Sequence, residues 1–128
     1  MNQINLDNKD YTTPEQSKVL LELGVPTRSA NMYYYDMGNG FIYAPEMIET
    51  KRDLDELNND PRYLPAWTTG RLMYIINTCV PNNRGQRMLV YMNMRLYMIT
   101  DFVEMLRLAI ETLVEKDMIN FDNLKHKL

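Results

Sequence analysis

Few side chains in this sequence could carry nucleophilic chemistry. They are Ser17, Ser29, the single cysteine Cys79 and the single histidine His126. Neither serine has the Gly-x-Ser-x-Gly surroundings of a nucleophile elbow. Ser17 falls inside a predicted helix and Ser29 in the turn after it. Cys79 falls on the apolar face of another predicted helix, where a thiol packs as a small hydrophobe. Its activation would need His126 as base, in a tail expected to fray. No catalytic residue is expected, and the reading is that of a protein without enzymatic activity.

Metal chemistry has equally little to work with. One Cys and one His exclude a multi-cysteine zinc module. Asp53, Asp55, Glu56 and Asp60 form the densest carboxylate group, but lack the alternation and central glycine of a calcium loop. They read as solvated acidic surface. No metal and no cofactor is expected.

Thr68-Thr69-Gly70-Arg71 could do something more specific. A helix start offers free N–H groups, glycine allows close backbone approach, and arginine adds charge, so a small anion could sit there. The pattern is not a phosphate loop, since Gly-x-x-x-x-Gly-Lys-[Ser/Thr] is absent. The structural alternative is that Thr68 caps the helix, Gly70 allows tight packing, and Arg71 pairs with an acid.

Arg84, Arg87 and Arg95 lie near Tyr91 and Tyr97, and Arg87, Tyr91, Arg95 and Tyr97 share one strand parity. That face could stack on bases. Against it stand a net charge of −3 and a pI near 5.1, where nucleic-acid modules typically exceed about 9. A nucleic-acid role is the alternative reading, not the first.

The other unusual feature is 11 Met and 9 Tyr in 128 residues. Methionine adapts to irregular cores and to re-packing interfaces, and tyrosine is enriched at interface centres. The run Tyr33-Tyr34-Tyr35 must put rings on both faces of a strand. A contact surface built from Tyr33, Tyr35, Tyr43 and Trp67 follows, for an unidentified protein partner or a second copy of the chain.

The elements that would position these groups are local. Thr13-Pro14-Glu15-Gln16 is a capping box with proline at the first helical position, and Gly24 with Val25-Pro26 ends that helix. Met32–Met37 and Phe41–Ala44 flank Asn39-Gly40, a strong hairpin signal. Residues 45–63 read as a weak helix or an ordered loop, broken at Asn58-Asn59-Asp60-Pro61. Thr68 caps a helix from Trp67 to Val80 with Leu72, Ile75, Ile76 and Cys79 on one face. Met88, Val90, Met92, Met94, Leu96 and Met98 alternate as one strand or two short ones. Asp101 and Glu104 open the longest helix, to about Lys116, with Arg107 four residues before Glu111. Residues 1–11 and 120–128 read as loosely ordered parts of a single domain, 1–128. The expected fold is α+β: a small antiparallel sheet, from the Tyr-rich hairpin and the Met-rich strand or hairpin, packed against about three helices.

Two blocks carry a resemblance. Residues 12–26, TTPEQSKVLLELGVP, and residues 63–72, YLPAWTTGRL, are similar to blocks of a family of small proteins from gut Bacteroides-type bacteria, their prophages and mobile elements. An acid-capped amphipathic helix that closes the family resembles residues 101–119. The resemblance implies no activity and carries over no catalytic residue. It implies context, a phage- or mobile-element-related accessory protein. Ala66 stands where the family pattern often has Cys, so no obligatory thiol is implied there.

Composition closes off broader classes. Hydrophobic residues make up 45% and charged residues 24%, too apolar and too weakly charged for a disordered chain. No apolar run approaches the roughly 20 residues of a membrane span, and the start lacks the basic and apolar regions of a signal peptide. A reducing bacterial cytoplasm is the expected setting. The functional expectation is a non-enzymatic protein-interaction module.

Overall fold

The computed structural model describes residues 10–36, 38, 40, 45–50, 57–81 and 101–124. Helix α1 spans Pro14–Glu22, strand β1 Met32–Tyr35, β2 Glu46–Met47, β3 Tyr63–Ala66, α2 Thr69–Cys79 and α3 Phe102–Glu115. Single 3-10 turns occupy Thr27–Ser29 and Phe121–Leu124. The strands form one antiparallel sheet in the order β2-β1-β3, so the fold is a small α+β one.

Each helix starts where a side chain replaces the missing backbone acceptor. Thr13 Oγ1 accepts from Gln16 N at 3.1 Å while Gln16 Oε1 accepts from Thr13 N at 2.9 Å, a complete capping box. Thr68 accepts from Arg71 N, and Asp101 accepts from Glu104 N at 3.1 Å. Helix α1 ends in a Schellman turn: Gly24 at φ +97° donates to Leu21 O and Val25 donates to Leu20 O.

The main core gathers Leu20, Trp67, Leu72, Ile75, Ile76, Leu106, Ile110 and Leu113, all fully buried. Helices α2 and α3 thus pack apolar face to apolar face beside α1. Gln16 Nε2 clasps α1 to α3 by donating to Glu104 Oε1 at 2.8 Å. A second cluster, Met32, Tyr34, Leu64 and Ala66, lies on one face of the sheet, with Tyr11 and Leu21 against it.

Two expectations need correction. Residues 45–63, read as weak helix or loop, hold strand β2, a helical stretch at 57–59 and the start of β3. Pairing across the sheet overrides the weak local signal there. The tails are ordered further than expected. Tyr11 bridges to Thr68, and Leu124 is only 1% exposed in the core. The reversal between β1 and β2 agrees with the hairpin reading, while Asn39 and Phe41–Ala44 lie outside the described residues. The Met-rich stretch 88–98 lies outside them as well.

Candidate interaction surface

Strand β1 is the middle strand, so its alternation sorts the tyrosine run between two faces. Tyr34 points inward: it is 2% exposed, and its hydroxyl donates to Thr12 O at 2.6 Å. Burial pushes its phenol well above the ordinary value, with Tyr11 and Glu15 adding to the shift. Tyr33 and Tyr35 occupy the opposite face, both half-buried.

Tyr63 joins them from β3, paired directly with Tyr35 and diagonal to Tyr33. Its ring centroid is 5.3 Å from Tyr33 in an edge-on arrangement and 4.9 Å from Tyr35 in a tilted one. These are the geometries aromatic quadrupoles favour, worth roughly 0.5–1.5 kcal/mol per pair beyond area burial. From β2, opposite Tyr33, Glu46 Oε2 accepts the Tyr33 hydroxyl at 3.1 Å.

At the far end, the Arg62 guanidinium lies 5.4 Å from the Tyr35 ring centre. It grips Asp60 with Nε at 3.1 Å from Oδ1 and Nη2 at 2.7 Å from Oδ2. Those bonds hold the Asp60 carboxyl below the usual carboxylate range. Asp36 caps the turn, its Oδ1 accepting from Gly38 N at 2.8 Å and Gly40 N at 3.1 Å. Tyr35, Asp36, Gly38 and Arg62 line an open depression of about 320 Å³.

The structure brings together only part of the expected surface. Tyr33 and Tyr35 are in it, and Tyr43 lies outside the described residues. Trp67 does not belong: it is completely buried, its indole N–H donating to Ser29 Oγ at 2.9 Å. Its neighbour Ala66 is on the sheet, so the chain carries the indole straight into the core. Sequence reasoning missed Tyr63, Arg62 and Glu46, which sit in the stretch read as helix or loop. The aromatic Tyr63 next to Leu64 was the available signal.

The chain's own groups use most of the donors of the proposed anion site. Thr69 N donates to Asp10 O at 3.0 Å, Arg71 N to Thr68 Oγ1 at 3.2 Å, and Leu72 N to Thr68 O. Asn31 satisfies Thr68 on both sides, accepting from its N–H at 3.1 Å and donating to its hydroxyl at 2.9 Å. The Arg71 guanidinium lies over the Tyr74 ring at 5.5 Å rather than on an acid. Gly70 does not serve tight packing either, since a Cβ there would meet nothing within 4 Å.

The remaining chemical candidates are structural. Thr12 Oγ1 and Ser17 Oγ are 2.8 Å apart and buried, and Ser29 Oγ donates to Pro26 O while holding Trp67. Burial pushes the Cys79 thiol up to about 11, the direction that keeps it protonated and inert. Cys79 borders a second depression of about 440 Å³ with Pro81, Met118 and Asn120. His126, the carboxylates Asp53, Asp55 and Glu56, and the Arg87/Tyr91/Arg95 face lie outside the described residues. Among the described residues no His, Cys, Asp and Glu side chains cluster to hold a metal, and no helix is long and apolar enough to cross a membrane. No family model, curated protein or solved structure matches the chain.

Proposed function

We propose that this protein is a non-enzymatic interaction module that contacts its partner through the Tyr33/Tyr35/Tyr63 face of the sheet. The observation that carries this reading is the aromatic row itself. Three rings brace one another at 4.9 and 5.3 Å yet stay half-buried. Tyrosines already held in place offer large amphipathic contact area at low conformational cost on binding. The partner is another protein or a second copy of this chain. The resemblance of residues 12–26 and 63–72 to the Bacteroides-type family supports a phage or mobile-element accessory role in the bacterial cytoplasm.

The test uses Tyr33→Ser and Tyr35→Ser. Both weaken self-association in light scattering, or capture of the partner by a tagged chain, while circular dichroism retains the native spectrum. A monomeric wild type together with an empty capture from host lysate defeats the reading.

A further inference from the structure

We draw no further inference here: the strongest candidate, the depression of about 440 Å³ between the end of α2 and the turn that follows α3, bordered by Cys79, Asp117 and Asn120, rests on a lone buried cysteine, and among the described residues no buried polar side chain lacking a hydrogen-bond partner points to a ligand there.

Discussion

Trp67 and Ser29 are joined by a buried hydrogen bond, indole N–H to hydroxyl, at 2.9 Å. Ser29 Oγ completes the link by donating to Pro26 O at 2.6 Å. The turn after α1 is thereby tied to the residue that connects β3 to α2. Ser29→Ala leaves the indole N–H without an acceptor in a dry site, which costs about 1–3 kcal/mol. Trp67→Phe removes donor and need together, but leaves a void, at a cost of similar or greater size. Urea unfolding checks both. A Ser29→Ala variant as stable as the wild type would mean that this bond contributes nothing.

Gly70 sits at the second position of α2 with open space where a side chain would stand. Glycine in a helix is less favourable than alanine by up to about 1 kcal/mol, through the backbone freedom it must give up. Gly70→Ala therefore stabilises the protein, with a rise in the thermal midpoint. It also separates two roles for the residue. If Gly70 were needed for close approach of an anion, phosphate would shift the midpoint of the wild type and not of the variant. With the Thr69 and Arg71 N–H groups bonded within the chain, no such difference is expected.

The helices were legible because their signals are local. Thr13 with Gln16, Thr68, and Asp101 with Glu104 announce their caps within four residues, and the periodic apolar positions of α2 and α3 match the buried ones. Strands β2 and β3 were not. β2 is two residues long, too short for any period, and β3 carries Pro65, which a strand tolerates only at an edge or bulge. Their pairing to β1 is a long-range choice that no window around residue 46 or 65 contains. The candidate surface was half legible for the same reason. Tyr33 and Tyr35 follow from alternation, but Tyr63 and Glu46 arrive through sheet register, and Trp67 was misplaced because its burial depends on where β3 ends.

Glu104 links three groups, and its protonation should be felt by the fold. Its carboxylate accepts from Arg107 at 2.7 and 2.9 Å and from Gln16 of α1 at 2.8 Å. The Arg107 bonds, more than the Gln16 bond, hold its pKa below the usual glutamate value. With the folded pKa lower than the unfolded one, its contribution is complete above about 4.3 and is lost as pH falls through the folded value. The pair is partly exposed, at 14% and 30%, so screening limits the contribution to roughly 0.5–1 kcal/mol. Glu104→Gln lowers stability by that amount at neutral pH, and the gap to the wild type closes on acidification below pH 4. Unfolding curves at pH 7 and pH 3 check it. A constant gap across that range would show that ionisation of Glu104 is not involved.

Helices α1 and α3 end in the same turn built from different residues. In α1 the left-handed position is Gly24, at φ +97°. In α3 it is Asp117, at φ +54°, which donates to Val114 O while Met118 donates to Leu113 O at 2.8 Å. A side chain in that conformation costs about 1–2 kcal/mol relative to glycine, somewhat less for aspartate with its short polar side chain. A carboxylate at a helix C-terminus also opposes the dipole there. Asp117→Gly thus stabilises the protein by roughly 0.5–1 kcal/mol, and Asp117→Asn recovers the dipole part of that gain. Gly24→Ala runs the other way and destabilises by about 1–2 kcal/mol. Phe121 is 3.9 Å from where the new Cβ would stand, an ordinary contact, so backbone strain alone sets that loss. Thermal unfolding of the three variants separates the contributions. A stabilised Gly24→Ala, or a destabilised Asp117→Gly, would contradict the left-handed turn at that helix end.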